Sequence, residues 1–261
     1  MWQRFLGLFP LMVALATPVG FAQAQILEDR VVYPVAGQTY EGYFVRNQGF
    51  GDRQPIVLLV HDWDGLGAYE QRRAQMLAEQ GYATFAIDLY GQGIRPATLD
   101  EARSESGKLY NDRSLLRSRL LGSMERAKQL PGVDPSRMVA IGYCFGGASV
   151  LELARSGADV DGVVSFHGGL TTPEGQNYDG FNGSVLILHG ADDPFAPLSE
   201  VMALAQALSE AKVSYDMELY GGAQHSFTVW TANREGAKYD AQADRYSWRS
   251  LLTFLDQVFG S

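Results

Sequence analysis

The chain has 261 residues, 46% hydrophobic and 20% charged, which suits a large packed core and excludes a disordered or collagen-like protein. Its 21 basic and 30 acidic residues give a formal charge of −9, which excludes a counterion-releasing grip on nucleic acid or on an anionic membrane surface. A single cysteine, Cys144, excludes an internal disulfide and a cysteine-rich zinc site.

In chain order, the first feature is a secretory-signal pattern. Arg4 precedes an apolar run from Phe5 to Phe21, and Ala22-Gln23-Ala24 supplies the small-x-small site that a signal peptidase needs. Pro10 and Pro18 interrupt the run, which falls short of the roughly 20 residues of a spanning helix. The expectation is cleavage after Ala24, one domain over 25–261, and an exported protein, periplasmic or secreted, with no stable membrane anchor. Cys144 is then a free thiol in an oxidising compartment, a liability whose retention asks for a reason.

Beyond it, strand-length apolar runs alternate with amphipathic helical segments. Val31 to Val35 and Thr39 to Val45 read as a hairpin or edge pair, followed by a turn over Asn47 to Arg53. Ile56 to Val60 is a continuous apolar run, as a strand covered on both faces requires. A helix over Ala68 to Gln80 closes at Gly81. Further strands are expected at Tyr82 to Ile87, Arg137 to Ile141, Gly162 to Phe166, Ser184 to Leu188 and Ser214 to Leu219. Helices are expected over Leu115 to Leu130, Gly146 to Arg155, Ser199 to Ala211 and Ala241 to Phe259. This rhythm predicts an α/β fold with a mostly parallel, doubly wound sheet flanked by helices on both faces.

Open parallel sheets place chemistry outside the carboxyl ends of their strands, and all four histidines, His61, His167, His189 and His225, fall there. The sharpest local signal is Gly142-Tyr143-Cys144-Phe145-Gly146-Gly147, between a strand and a helix. It has the G-x-Nuc-x-G form of a nucleophile elbow, with cysteine in the usual serine position. So tight a turn crowds its neighbours unless they are glycine, and it sets the sulfur at a helix amino end, where unpaired N–H groups favour a thiolate. A buried cysteine beside a Gly-rich helix start is the plainer alternative.

A nucleophile needs a base and the base an orienter, which in this architecture follow in the order nucleophile, acid, histidine. Asp193 and His225 occupy the loops after the next strands, in that order. Asp192 competes for the acid position, with a cap or turn role as its alternative.

With these motifs the chain resembles the dienelactone hydrolase family of the α/β-hydrolase fold, from about Val31 to Phe259. The resemblance rests on Gly142 to Gly147, Gly190 to Asp193 and His225-Ser226-Phe227, with His61 to Leu66 and Asp88 to Gly91 in support. It implies hydrolysis of a small ester or lactone through a thioester acyl-enzyme, with Cys144 attacking, His225 handling the proton and Asp193 holding the imidazole. It also implies oxyanion donors at the backbone N–H groups of Phe145 and Trp63.

Two departures stand out. The family's type members carry a glutamate where this chain has Asp62, one methylene shorter; a turn or cap role for Asp62 stays equally open. The type members also bind a substrate carboxylate with two arginines, at positions that here hold Gln92 and Val229. Arg95 is close enough in sequence to replace the first, and nothing evident replaces the second, so a small ester or lactone is favoured over a carboxylate-bearing dienelactone.

No dinucleotide or phosphate loop and no His-Glu-x-x-His spacing occurs, so neither cofactor nor metal is expected. His167 either lines the pocket or holds a turn. Tyr239, Tyr246, Trp248 and Phe254 read as core-facing aromatics of the last helix. Two other readings remain: an inactive hydrolase fold used for binding, and a redox thiol, which the absence of a resolving cysteine disfavours.

Overall fold

The computed structural model describes residues 25–260. The signal-peptide expectation, 1–24, lies outside the described residues. The chain opens with two antiparallel strands, β1 (Ile26–Val35) and β2 (Gln38–Asn47), and then β3 (Gln54–Val60). There follow α1 (Ala68–Ala78), β4 (Ala83–Ile87), α2 (Leu99–Asn111) and α3 (Arg113–Ala127). Next come β5 (Val133–Tyr143), α4 (Phe145–Arg155), β6 (Gly162–Phe166) and β7 (Ser184–Gly190). The rest is α5 (Leu198–Glu210), β8 (Ser214–Tyr220), a short hairpin of β9 (Asn233–Arg234) and β10 (Ala237–Lys238), and α6 (Ala241–Phe259).

The main sheet has eight strands in the order β1-β2-β4-β3-β5-β6-β7-β8. The β1–β2 and β2–β4 pairs are antiparallel and all later pairs are parallel. Period-two alternation divides the core between the faces. Ile56, Leu58 and Val60 of β3 join the layer under α3, α4 and α5, whereas Val57 and Leu59 join the layer under α1 and α6. Buried on both sides, the stretch Ile56 to Val60 of β3 has no polar position to spare, which is why its sequence is a solid apolar run.

The structure holds every expected strand and helix, with ends shifted by a few residues. It adds one helix that the sequence reading left as a gap, α2. Its signal is a capping box: Thr98 accepts from the Glu101 N–H while Glu101 accepts from the Thr98 N–H. The expectation for the last helix needs one correction. Phe254 is buried, but Tyr246 is 45% exposed with the Arg249 guanidinium above its ring, because it lies on the face turned from the sheet.

The turn from β5 into α4 is the tightest point of the fold. Cys144 has φ +50, and the space around it exists only because its neighbours lack side chains. A Cβ on Gly142 would sit 2.1 Å from the Gly146 carbonyl oxygen, and one on Gly146 would sit 2.2 Å from that of Val60. Both obstacles are backbone and cannot swing aside. Gly142→Ala is therefore expected to cost about 3 kcal/mol or more. Gly107→Ala, inside α2 with nothing within 4 Å of the added methyl, is expected to gain roughly 0.5–1 kcal/mol. Urea melts of the two variants check both, and a neutral Gly142→Ala would show that the turn relaxes.

Candidate active site

The strand ends of β5, β7 and β8 bring three side chains together. Cys144 follows β5 directly, its N–H bonded to the Phe166 carbonyl at 3.0 Å and its own carbonyl accepting from Ala148 at 3.1 Å. Asp193 follows β7, and its loop is held by His189 Nε2 donating to the Ala196 carbonyl at 2.8 Å. His225 follows β8, where the β9–β10 hairpin returns to grip its backbone: the His225 N–H donates to Gly236 and its carbonyl accepts from Lys238. His225 Nδ1 lies 2.8 Å from Asp193 Oδ2, and Nε2 lies 3.0 Å from Cys144 Sγ. With Nδ1–H donating to the carboxylate, Nε2 is left as an acceptor facing the thiol.

Asp193 is 3% exposed, and its other oxygen accepts from the Phe195 and Ala196 N–H groups, so the carboxylate is fixed from both sides. Asp192 is exposed and takes no part in this cluster. Of the other histidines, His61 ties its Nδ1 to the Asp62 carbonyl at 2.6 Å and accepts from the Leu89 N–H. His167 bonds Thr228 Oγ1 at 2.7 Å and packs edge-on against the His225 ring, a wall behind the imidazole. Burial pushes His61, His167 and His189 below the ordinary histidine range, so they stay neutral.

The loop carrying His225 rests on a buried guanidinium. Arg73 of α1 donates to the Thr228 carbonyl at 2.8 Å and pairs with Asp244 at 2.5 Å, with the Trp230 ring 4.5 Å from its carbon. Trp230 thus serves this support and not the cavity around the thiol.

Asp62 and Trp63 lie beside the sulfur. The Asp62 carboxylate lies near enough for its charge to push the thiol up. Its Oδ1 accepts the Trp63 N–H at 2.5 Å. Behind this loop, Glu70 accepts from the Asp62 N–H at 3.3 Å and the Gly67 N–H at 2.8 Å. Burial pushes the Glu70 carboxyl up to about 8 and that of Asp64 to about 6. Burial first, and the Asp62 charge second, also raise the Cys144 thiol well above its ordinary value. Cys144 is nonetheless only half-buried and lines a cavity of about 430 Å³ walled by Trp63, Tyr110, Phe145 and Phe195.

Gln92 and Arg95, expected near the substrate, are not in that cavity. Gln92 is exposed and bonds Glu41, and Arg95 is drawn to the Gly91, Ile94 and Glu41 carbonyls and to Asp88 at 3.5 Å. A guanidinium surrounded by acceptors on the β2–β4 side has no reason to turn towards the thiol. The cavity's cations are instead Arg103 of α2 and Arg234 of β9, both missed from sequence. The Thr98-x-x-Glu101 box could have located the first; only the hairpin's fold-back explains the second. Among the described residues, no cluster of three His, Cys, Asp or Glu side chains is placed to hold a metal ion.

Removing the negative charge beside the sulfur stabilises a thiolate. Asp62→Asn is therefore expected to speed alkylation of Cys144 by iodoacetamide roughly tenfold at pH 7 and to move the alkylation profile to lower pH. An unchanged profile would mean that the Asp62 charge does not act on the thiol.

Residues 40–259 match the sequence profile of the dienelactone hydrolase family. A curated relative, the putative carboxymethylenebutenolidase of Synechocystis, is 25% identical over 236 residues, 85% of this chain and 93% of its own length. Among solved structures, the dienelactone hydrolase-like promiscuous phosphotriesterase P91 from metagenomic libraries is 32% identical with a TM-score of 0.86, covering 90% of this chain and 99% of that one. The structure named m3DLH is 31% identical with a TM-score of 0.84, covering 89% of this chain and 98% of that one. With the profile spanning most of its length, this chain belongs to the dienelactone hydrolase family, hydrolases of the α/β-hydrolase fold.

Proposed function

We propose that the protein hydrolyses a small carboxylic ester or lactone, with Cys144 as nucleophile, His225 as general base and acid, and Asp193 as the orienter of the imidazole. One observation carries this reading: His225 touches the Asp193 carboxylate with one ring nitrogen and the Cys144 thiol with the other. In acylation the thiol proton passes to His225 Nε2 as sulfur bonds the carbonyl carbon. The tetrahedral intermediate then expels the alkoxide, which takes that proton, and a thioester remains. In deacylation a water gives its proton to Nε2 and its oxygen attacks the thioester; the carbon–sulfur bond breaks and the sulfur recovers the proton. The products are an acid and an alcohol, or one hydroxy acid from a lactone.

The developing oxyanion is assigned to the Phe145 and Trp63 N–H groups. At rest the Trp63 donor is taken by the Asp62 carboxylate, so an entering carbonyl must displace an oxygen already bound there. That a carboxylate oxygen settles against this donor supports its suitability for negative charge. Arg103 and Arg234 at the cavity also favour substrates with an anionic substituent, against the expectation drawn from Gln92 and Val229.

Cys144→Ala and His225→Ala are each expected to lower kcat/KM on short-chain aryl esters by about 10³-fold or more, and Asp193→Asn by at least about 10²-fold. Asp192→Asn should stay within about twofold of the parent. An acyl adduct on Cys144 in intact-protein mass spectra is the direct check; equal turnover by all the variants would overturn the reading and favour a binding protein.

Export is a further part of the proposal, supported by Arg4, the apolar run and Ala22-Gln23-Ala24. Among the described residues no helix is long and apolar enough to cross a membrane. The expected mature form begins at Gln25, read by mass spectrometry on cell fractions; an intact Met1 on protein from the cytosolic fraction alone would oppose it.

A further inference from the structure

Thr228, in the loop that carries His225, is fully buried, and its hydroxyl touches two other side chains. Its Oγ1 lies 2.7 Å from His167 Nε2 and 2.7 Å from the Tyr69 hydroxyl, which in turn accepts from Arg73 Nε at 3.2 Å. Side chains of α1, of the end of β6 and of the His225 loop thus form one unbroken line of hydrogen bonds.

The direction of that line is fixed at one end. A guanidinium donates and never accepts, so Arg73, itself paired with Asp244, makes the Tyr69 oxygen an acceptor and sends the Tyr69 hydrogen on to Thr228. The Thr228 hydroxyl then donates to His167 Nε2. The opposite tautomer, with a hydrogen on Nε2, would leave a buried hydroxyl hydrogen without an acceptor, which is the less favourable arrangement. His167 therefore carries its proton on Nδ1. That nitrogen has no hydrogen-bond partner among the described residues, so nothing at the other side of the ring competes with the line in choosing the tautomer.

The ring so fixed stands against the His225 imidazole, with centroids 5.3 Å apart and planes at 65°. Phe195 is also 5.3 Å from His225 but is 59% exposed, whereas His167 is fully buried and packed edge-on against Phe227. The backbone at His167 has φ +39, a conformation that a residue with a side chain keeps only where its surroundings impose it. Asp193 anchors one corner of the His225 ring and leaves it free to tilt; a fixed ring alongside removes that freedom. Charge matters as well. When His225 Nε2 takes the thiol proton its ring becomes positive, and a proton added to His167 would oppose that step. The titratable groups facing His167 are His225, His189, Tyr143 and Arg73. Burial first, and then the charges of His225, His189 and Arg73, keep the His167 ring neutral.

We infer that His167 is a positioning residue for His225, held in a single neutral tautomer by a hydrogen-bond relay from Arg73 through Tyr69 and Thr228. The inference rests on the hydrolytic reading for the role of His225, while the relay can be read without any substrate.

Long-range proton–nitrogen NMR spectra of the intact protein, with the histidine rings assigned through their own backbones, report the tautomer directly. Between about pH 6 and 8, His167 is expected to show a protonated Nδ1 and a bare Nε2 with no titration. A protonated Nε2 overturns the relay, and because this is measured on the unaltered protein it holds whether or not a variant folds. Thr228→Val keeps the side chain's shape and removes its hydroxyl. It is expected to mix the two His167 tautomers, to move the His225 ring signals and to lower kcat on phenyl acetate about fivefold, with KM within about twofold. Thr228→Ser keeps the hydroxyl and loses a methyl, and is expected to restore the single tautomer and most of kcat. The reverse order, with the valine variant like the parent and the serine variant impaired, would mean that Thr228 only fills space and overturns the inference. Equal loss in both also overturns it. A parent protein without ester hydrolysis but with Nδ1 of His167 protonated sinks the hydrolase reading and leaves the relay standing; hydrolysis with Nε2 protonated does the opposite.

Discussion

The turn at Cys144 is a packing problem solved by subtraction. To lift one side chain out of the sheet edge, β5 must reverse into α4 within a single residue at positive φ. The returning helix then passes so close to β3 and β5 that only missing Cβ atoms leave room at Gly142 and Gly146. The alignment of Cys144, Asp193 and His225 depends on this. The Cys144 backbone is fixed, since its N–H and carbonyl are both committed to neighbouring structure. Asp193 and His225 then need only be delivered to a fixed point by the loops after β7 and β8.

Delivery depends on buried polar groups rather than on apolar packing alone. Arg73 sits among aromatic rings, paired with Asp244 and bonded to the Thr228 carbonyl, so the His225 loop is supported from below by a charge that has nowhere else to go. Removing either partner of such a pair leaves an uncompensated buried charge, which costs far more than the intact pair contributes. On the other side, Glu70 holds the Asp62–Gly67 loop by its backbone donors. Its carboxyl is neutral through much of the physiological range because burial disfavours the charge. The sulfur thus lies between a basic nitrogen and an acid-rich loop. That arrangement favours the thiol at rest, with the His225 ring nitrogen 3.0 Å from it.

Much of this was legible in the primary structure, for local reasons. The solid apolar run at Ile56 to Val60, the glycines flanking Cys144, and the order Cys144, Asp193, His225 all reflect constraints that act within a few residues or along the chain. Asp193 rather than Asp192 was the less secure choice. The fold separates them by burial, one carboxylate turned to the imidazole and the other to solvent. The elements missed were those whose partners are distant. Helix α2 buries only Ala102, Ser106 and Leu109, so it offers few apolar side chains to read and its cap was the better signal.

The sequence by itself determined the architecture, the family and the identity of the three side chains that meet, because strand patterning and glycine placement are written in local spacing. The surroundings of the thiol were decided only by tertiary structure. Arg95, near in sequence to the expected position, is captured by carbonyls and Asp88, whereas Arg103 and Arg234 arrive from a helix and a hairpin far apart in the chain. A guanidinium goes where acceptors and open space leave it. Those are properties of the folded surface, set by which loops pack together and invisible to residue spacing.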